Sequence, residues 1–234
     1  MKNKILITLI ALTTLFYGCG EKLNIEGLWI VKNVQVDNNE ITPNARWTRF
    51  NKDFTQQSGN GWFQHSYGNW KYNKNTTELS ITNTNGLIDK SEPFKVSFEN
   101  DKMIWKRVEE GQNVIVTLEK TNELPKTYGD KLLGLWKLEK SIGKGFLFDE
   151  TNDKNEYLFL RWDKRFIINS TNGKINGVYN IHGHKPEIEF IPYGDNIKRS
   201  FWEIEYDKEQ ISLKLLNSDS LVKRNFVRIH EFPN

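Results

Sequence analysis

The sequence predicts an all-β protein made of two tandem eight-stranded antiparallel up-and-down barrels that follow a short apolar N-terminal segment. Three observations support this fold class. Sequence features recur at a long, nearly constant spacing, short strand-like runs alternate with turn residues in both copies, and no stretch shows sustained helical periodicity. The 234 residues therefore divide into two similar domains rather than forming one large domain.

The N-terminal segment has the pattern of an export signal. Lys2 and Lys4 precede an apolar run over residues 5–16, which is too short to span a bilayer and has the length of a signal-peptide hydrophobic region. Cys19, the only cysteine, follows this run. The arrangement resembles a bacterial lipobox, which implies that Cys19 is acylated and becomes the first mature residue. Phe16 stands where lipoboxes usually have leucine, and the alternative is an ordinary secretory signal.

Bulk composition excludes several classes of function. Lysine and arginine total 33 against 30 acids and form no basic run, so the chain does not have the pattern of a nucleic-acid-binding protein. A single cysteine excludes an intramolecular disulfide and a cysteine-cluster metal site. We expect no cofactor.

The two copies are defined by motifs that recur in the same order. Gly27-Leu28-Trp29 recurs as Gly134-Leu135-Trp136, and Glu123-Leu124-Pro125 recurs as Glu231-Phe232-Pro233. Between these anchors the matched pairs are Arg46-Trp47 with Arg161-Trp162, Phe54 with Phe166, Gly68-Asn69-Trp70 with Gly177-Val178-Tyr179, and Phe94/Val96/Phe98 with Trp202/Ile204/Tyr206. A period of this length indicates duplicated domains. The predicted boundaries are a signal peptide at 1–18, a lipidated tether at 19–26, a first barrel at 27–125, a linker at 126–131 and a second barrel at 132–234.

Each copy contains eight runs of strand-like sequence separated by turn residues. In the first copy strands are predicted near 27–36, 46–50, 54–57, 62–72, 78–82, 93–99, 102–107 and 113–120. In the second copy they are predicted near 134–140, 157–162, 166–170, 175–182, 187–191, 198–206, 210–216 and 221–230. Antiparallel strands with short connections close most economically into a barrel, which leaves no free edge. One helical turn is expected near 129–133.

A family resemblance follows from the start and the end of each copy. A Gly-x-Trp motif opens the first strand, eight meandering strands follow, and a basic residue stands late in the last strand. This pattern resembles the lipocalin-like (calycin) family, and the whole chain is similar to the tandem lipocalin-like lipoproteins of Bacteroidetes. The matching residues are Gly27, Trp29 and Lys120 in the first copy and Gly134, Trp136 and Arg228 in the second. The resemblance implies that the basic group packs over the tryptophan at the closed barrel end, a structural role.

Alternation of apolar and polar side chains predicts which residues point into each barrel. The predicted inward residues are Trp70, Tyr72, Phe94, Val96, Phe98, Met103 and Trp105 in the first copy and Trp136, Leu138, Tyr179, Ile181, Trp202, Ile204, Tyr206, Ile211, Leu213 and Leu215 in the second. The second strand of the second copy stays undecided, because Tyr157/Phe159 and Leu158/Leu160/Trp162 are both apolar, and one set is a candidate to face the neighbouring copy. Eight-stranded barrels are just wide enough to be filled by side chains or to hold one small ligand, so a packed core and a cavity both stay open.

Arg224 breaks the interior pattern of the last strand. It aligns with Val116 in the inward register, where a buried guanidinium needs an anion or several acceptors. The hypothesis is that Arg224 binds a ligand carboxylate or an internal acid, and the alternative is that it reaches solvent at a bulge or at the barrel mouth. The segment 141–156 is either a lid at that mouth or a loose insertion. The candidate ligand-binding residues are Arg224, Tyr179, Trp202, Tyr206, Trp70 and Trp105.

Catalytic and metal-binding motifs are not found in the sequence. His182-Gly183-His184 is the only metal-like spacing, but alternation places it outside the barrel in a turn, and His65 falls on an outward position. The acid pairs Glu187/Glu189 and Glu203/Glu205 are expected on solvated faces. The protein is therefore not expected to be an enzyme, and no metal site is expected.

The expected function is that of a cell-envelope lipoprotein, anchored to the membrane through Cys19, that binds a small hydrophobic or amphipathic ligand inside a barrel. The outer membrane is the expected location, with the periplasmic or surface side undecided. The alternative is a structural or protein-interaction module of an envelope complex with filled barrels. A third hypothesis is carbohydrate binding by exposed aromatic side chains.

Overall fold

A computed structural model of the chain describes residues 24–86, 88–144, 155–171, 173–194 and 198–233. Across these residues the chain forms two closed eight-stranded antiparallel barrels in tandem, as the repeat predicted. The predicted signal peptide, Cys19 and most of the 141–156 segment lie outside the described residues. Within the described ranges, no helix is both long and apolar enough to cross a membrane.

The first barrel consists of eight meandering strands and one short edge strand. The strands are β1 Gly27–Val36, β2 Asn39–Glu40, β3 Arg46–Phe50, β4 Thr55–Asn60, β5 Phe63–Asn73, β6 Glu78–Asn83, β7 Phe94–Glu99, β8 Lys102–Glu109 and β9 Gln112–Thr121. Strand β1 pairs with β3, each later strand pairs with the next, and β9 returns to pair with β1. The edge strand β2 pairs with the end of β1.

The second barrel repeats this plan after a short linker helix. The helix α1 spans Tyr128–Leu132, where the helical turn was expected, and the strands are β10 Gly134–Ile142, β11 Tyr157–Leu160, β12 Arg165–Ser170, β13 Gly173–Ile181, β14 Glu187–Pro192, β15 Ser200–Asp207, β16 Gln210–Leu215 and β17 Lys223–Ile229. A capping box begins the helix, because Asp130 N donates to Thr127 Oγ1 at 3.0 Å and Thr127 N donates to Asp130 Oδ2 at 2.8 Å. Strand β17 pairs with β10 and closes the barrel.

The Gly-x-Trp motif forms the same closed end in both barrels. Gly27 and Gly134 each have a φ of +121°, a conformation that residues with a Cβ rarely adopt. The tryptophan two positions later, Trp29 or Trp136, has no exposed surface. In both cases the indole Nε1 donates to the carbonyl oxygen four residues earlier in the chain, at 2.8 Å. The two closed ends therefore have the same backbone and hydrogen-bond geometry.

The core of each barrel is formed by its inward-facing side chains. The first core contains Ile25, Trp29, Val31, Phe50, Trp70, Leu79, Phe94, Val96, Met103, Trp105, Val114, Val116 and Leu118, and the second contains Leu132, Trp136, Leu138, Leu158, Leu160, Phe166, Ile168, Tyr179, Ile188, Phe190, Trp202, Ile204, Ile211, Leu213, Val222 and Phe226. Alternation thus predicted the inward side correctly on most strands. Tyr206 was predicted inward and is 39% exposed, because it occupies the last inward position of β15, at the barrel end, where its ring lies 5.8 Å from Lys131 Nζ of α1.

The strand that alternation left undecided is resolved by packing. Leu158 and Leu160 of β11 point inward and are 0% and 1% exposed. The outward residues Tyr157 and Phe159 pack edge-on against Phe232, with ring centroids 5.5 and 5.4 Å apart. The outward set therefore contacts the C-terminal segment of its own barrel rather than the neighbouring copy.

Two of the sequence matches between the copies are wrong. Trp29 pairs with Thr48 and Trp136 pairs with Leu158, so Trp47 is equivalent to Tyr157 rather than to Trp162. Trp47 is 2% exposed, whereas Trp162 lies beyond β11 and is 81% exposed. Similarly, Phe54 lies outside β4 and is 61% exposed, while Phe166 is 1% exposed. The long connection between β10 and β11 shifts the numbering, and local similarity of residues did not reveal the correct offset.

Candidate binding site

Cross-strand pairing defines which interior positions of the two barrels are equivalent, because paired residues on antiparallel strands point to the same side. The path from Trp29 runs through Thr48, Ser58 and Ser66, and the path from Trp136 runs through Leu158, Ile168 and Ile175. In the next row, Gln56 pairs with Gly68 and Phe166 pairs with Gly177. Four polar residues of the first barrel therefore replace four larger or apolar residues of the second. We call Thr48, Gln56, Ser58 and Ser66 the polar wall.

The polar wall is buried and only partly satisfied by hydrogen bonds. Its members are between 2% and 8% exposed. Gln56 Nε2 donates to Thr48 Oγ1 at 3.1 Å, and Ser66 Oγ donates to Asn83 Oδ1 at 2.7 Å. Gln56 Oε1, however, has no hydrogen-bond partner among the described residues. A buried acceptor without a donor is costly, so Gln56 Oε1 is an unfavourable polar group within the first core.

An aromatic group lies beside the polar wall. Phe50 pairs with Gln56 and packs against Trp70 and Trp105, at ring-centroid distances of 5.5 and 5.9 Å. Phe94 packs on the other side of Trp105 at 5.0 Å. Trp70 Nε1 donates to the Asn51 carbonyl at 3.0 Å, but Trp105 Nε1 has no hydrogen-bond partner in the described part of the chain. Among the described residues of the first interior, the acceptor Gln56 Oε1 and the donor Trp105 Nε1 thus lack partners, and both residues adjoin Phe50.

Some inward side chains of the first barrel are slightly more exposed than those at equivalent positions of the second barrel. Trp70, Trp105 and Val116 of the first barrel are 8%, 7% and 8% exposed although they face inward. Tyr179 and Trp202 of the second barrel are 0% and 1% exposed. Thr48, Ser58 and Ser66 are smaller than Leu158, Ile168 and Ile175, so these positions contribute less side-chain volume to the first core than to the second.

A basic group stands at the open end of the polar wall. Arg46 occupies the next inward position of β3, where it pairs with Asn60. Its Nη1 donates to Asn60 Oδ1 at 3.3 Å and also contacts His65 Nε2. His65 is the extra residue of a bulge in β5, because the register passes from Ser58–Ser66 directly to the pair of Gly59 and Gln64. The bulge turns His65 towards Arg46. The predicted outward position of His65 is therefore wrong. We call Arg46, Asn60 and His65 the rim cluster.

Burial affects the charges of the rim cluster. Desolvation lowers the pKa of Arg46 below its ordinary value. The pKa of His65 is also lowered, chiefly by burial and then by the nearby positive charge of Arg46. Arg46 forms no ion pair with any described residue, while Arg107, at the same end, pairs with Asp89 at 2.7 Å and Glu109 at 2.6 Å.

In the second barrel, the interior arginine is bonded to the backbone. Arg224 is 1% exposed, and its guanidinium donates to the carbonyl oxygens of Ile142, Lys223 and Gly143 at 2.7, 3.0 and 3.2 Å. These contacts supply several of the acceptors that a buried guanidinium needs. The two aromatic candidates of the second barrel are also hydrogen-bonded within the protein: Tyr179 Oη donates to the Arg161 carbonyl at 2.8 Å and Trp202 Nε1 donates to Ser200 Oγ at 2.8 Å.

The surroundings of Tyr179 also keep its hydroxyl group protonated. Burial, with smaller contributions from Asp163 and Asp130, raises the pKa of Tyr179 to about 12. The neutral phenol is thus the form present at physiological pH. The structure places Tyr179 and Trp202 in bonded core positions, and Trp70 and Trp105 beside the polar wall.

The basic residues of the Gly-x-Trp pattern occupy the closed ends. The Arg228 guanidinium lies 4.0 Å from the Trp136 ring and donates to the carbonyl oxygens of Leu133 and Lys131 at 2.7 and 2.9 Å. Lys120 Nζ lies farther from Trp29, at 5.8 Å, and Lys120 is exposed. The same motif is therefore held more tightly in the second barrel.

The two barrels meet at a seam beside the rim cluster. Asn44 N donates to the Gly183 carbonyl at 2.8 Å, and His184 Nδ1 lies 2.9 Å from the Ile41 carbonyl. Clefts of about 850 and 460 Å³ lie along this seam. The His182-Gly183-His184 segment thus forms an inter-barrel contact, and no group of three potential metal ligands occurs in the described ranges.

The polar wall and the rim cluster were missed by the sequence prediction. One signal was present: Ser66 aligns with Ile175 in an interior register. The other positions can be matched between the copies only with the correct strand offset. That offset makes Gln56 and Phe166 equivalent, because they pair with the equivalent glycines Gly68 and Gly177.

Comparison with known proteins adds no assignment. No protein-family model matches the chain, and no curated protein or solved structure shows significant similarity to it. The class of protein therefore rests on the structure itself, which is a tandem pair of eight-stranded antiparallel barrels consistent with a lipocalin-like fold.

Proposed function

We propose that this protein is a non-catalytic binding protein that holds a small amphipathic molecule inside its first barrel. The observation that carries the proposal is the polar wall. At positions where the second barrel has Leu158, Phe166, Ile168 and Ile175, the first barrel has smaller or polar side chains that leave Gln56 Oε1 unsatisfied. A ligand with an apolar face would pack on Phe50, Phe94 and Trp105, and its polar groups would bond Gln56 Oε1 and Trp105 Nε1.

The second barrel has a different role in this proposal. Its interior is filled, and its buried arginine is held by backbone carbonyls, so it supports the first barrel through the seam. Binding is proposed for one barrel rather than for both. The predicted ligand residues Trp70 and Trp105 belong to the proposed site, whereas Arg224, Tyr179, Trp202 and Tyr206 do not.

The proposed cellular setting rests on the N-terminal sequence. We propose that Cys19 is acylated and tethers both barrels to a membrane of the cell envelope. Metabolic labelling with a palmitate analogue tests this: label is expected on the wild-type chain and not on Cys19→Ser, and equal labelling would contradict it.

A second candidate function is a protein-interaction module. Trp62 and Phe63, at the tip of the β4–β5 hairpin, are 77% and 57% exposed, and their rings lie 6.1 Å apart. Exposed aromatic pairs are typical of interaction surfaces. In this alternative, the protein binds an envelope partner through the exposed hairpin and the filled second barrel.

The experiment converts the polar wall into the wall of the second barrel. The neutral fluorescent probe N-phenyl-1-naphthylamine is titrated into the full chain and into Gln56→Phe/Ser58→Ile. These substitutions place in β4 the residues that β12 has at equivalent positions, so a filled first barrel is expected to fold. Gln57→Ile is the matched control, because it introduces the outward residue of β12, Ile167, on the same strand.

The expected result is probe fluorescence with the wild type and with Gln57→Ile, and at least tenfold weaker binding to the double variant. Circular dichroism and thermal unfolding verify that the variant is folded. Absence of binding to the wild type would contradict the proposal for this probe class. Unchanged binding to the double variant would move the site to the clefts along the seam.

A further inference from the structure

The rim cluster contains a cation whose hydrogen-bond donors are incompletely used. Arg46 Nη1 contacts Asn60 and His65, whereas Nε and Nη2 of the same guanidinium form no hydrogen bond to described residues. No described acidic side chain pairs with Arg46. A partly buried guanidinium with an unused Nε–Nη2 edge matches the geometry by which arginine binds carboxylates with two parallel hydrogen bonds.

The position of Arg46 connects this cation to the barrel interior. The inward rows of β3 and β4 follow one another as Phe50 with Gln56, Thr48 with Ser58, and Arg46 with Asn60. Arg46 is therefore one row beyond the polar wall, at the open end of the barrel. A molecule lying along the wall would bring its terminal group to this guanidinium.

The neighbours of Arg46 favour an anion rather than a neutral group. Asn60 is an uncharged partner of Arg46. His65 is uncharged as well, because its lowered pKa keeps the imidazole neutral at physiological pH. The equivalent residue of the second barrel is Glu156, of opposite charge, so this position has a cation only in the barrel with the polar wall. Arg107, the other cation at this end, is already neutralised by Asp89 and Glu109.

We infer that Arg46 binds the carboxylate of an amphipathic monoanion whose remaining part lies in the first barrel. This inference rests on the proposed function, because it names the ligand class of the same site. His65 and Asn60 position the guanidinium, and its Nε–Nη2 edge bonds the two carboxylate oxygens. The bulge in β5 is then the feature that completes the anion site.

The test compares two ligands that share an alkyl chain and differ only in the terminal group, an anionic carboxylate or a neutral amide. Octanoate and octanamide have the same chain and nearly the same shape, and each is used to displace N-phenyl-1-naphthylamine from the full chain. Octanoate is expected to bind about tenfold more tightly than octanamide. Arg46→Gln is expected to abolish this difference, and Arg46→Lys to retain part of it, because lysine keeps the charge but not the paired donors.

Arg49→Gln is the matched control. Arg49 lies on the same strand and faces outward, 6.0 Å from the Trp47 ring, so its removal should leave the preference for octanoate unchanged. Equal displacement by octanoate and octanamide would overturn the anion inference while leaving the proposed function intact. If the probe does not bind the wild type, calorimetric titration with octanoate and with acetate decides. Octanoate binding that is lost in Arg46→Gln and is much tighter than acetate binding supports the inference, and equal binding of the two acids or no binding overturns it.

Discussion

In the second barrel Phe166 points into the core, and its ring centroid lies 4.9 Å from that of Phe190. In the first barrel the equivalent residue is Gln56, whose Oε1 has no hydrogen-bond partner among the described residues. The backbone beneath the two residues is alike, since each pairs with a glycine. A Cβ on Gly177 would lie 2.6 Å from Phe166 Cε1, so the aromatic ring packs directly over this glycine. The comparison teaches that one barrel plan accepts either a complete core or a polar interior, and that the choice lies in a few side chains of β3, β4 and β5.

The charged groups follow the same division. Two arginines of the second barrel bond the backbone: Arg224 bonds carbonyl oxygens at one end and Arg228 bonds them at the other. In the first barrel the closing residue is an exposed lysine, and the rim arginine keeps unused donors. Arg46 is thus the rim cation whose guanidinium has donors available for a ligand.

The largest expected effect comes from exchanging the two wall residues. Phe166→Gln should lower the free energy of unfolding by about 3–5 kcal/mol, because it creates a cavity and buries an unpaired amide. The reciprocal Gln56→Phe should cost less than about 1.5 kcal/mol, because its neighbours Thr48 and Ser58 are smaller than Leu158 and Ile168 of the second barrel. Urea unfolding followed by circular dichroism measures both. Equal costs would show that the two interiors are packed alike.

A smaller difference is expected at the closed ends. Arg228→Met should destabilise the protein by about 2 kcal/mol, because it removes two charge-assisted hydrogen bonds and a close ring contact. Lys120→Met should cost about 0.5 kcal/mol, since the lysine is exposed and lies farther from its tryptophan. The same unfolding measurement applies, and a larger loss from Lys120→Met would contradict the ranking.

The smallest expected effect is on a single titration. Arg46→Gln should raise the pKa of His65 towards its ordinary value of 6.5, but only partly, because burial is the larger cause of the lowering. Bound octanoate should raise it as well, through its negative charge. NMR titration of the imidazole protons measures both shifts. No change on removal of Arg46 would show that the two groups do not interact.

The sign of the pH dependence follows from this lowered pKa. The folded chain binds the His65 proton less readily than the unfolded chain does. The contribution of His65 to stability is therefore present above about pH 6.5 and is lost as the pH falls towards and through the lowered value.

Much of the architecture could be predicted from the sequence because strand alternation and the recurrence of Gly-x-Trp are local signals. They gave two copies that each begin at Gly-x-Trp and the inward side of β5, β7 and β13, whereas the position of Trp29 and Trp136 at the closed ends was implied by the family resemblance. Alternation failed where both faces of a strand are apolar, as in β11, and where a bulge reverses the side, as at His65. Arg224 was correctly placed inside the barrel, but its carbonyl acceptors come from the end of β10, about 80 residues away, and no local pattern shows them.

The sequence by itself determined the all-β class, the number of barrels and most of each core, because a period of two and a long repeat can be read without knowing any contact. Only the tertiary structure decided which barrel has a polar interior. That assignment depends on pairing Gln56 with Gly68 and Phe166 with Gly177, and hydrogen bonds between strands set this register. Residues far apart in the chain acquire a common environment only when the sheet closes, so Arg46 and the polar wall become one site only in the folded barrel.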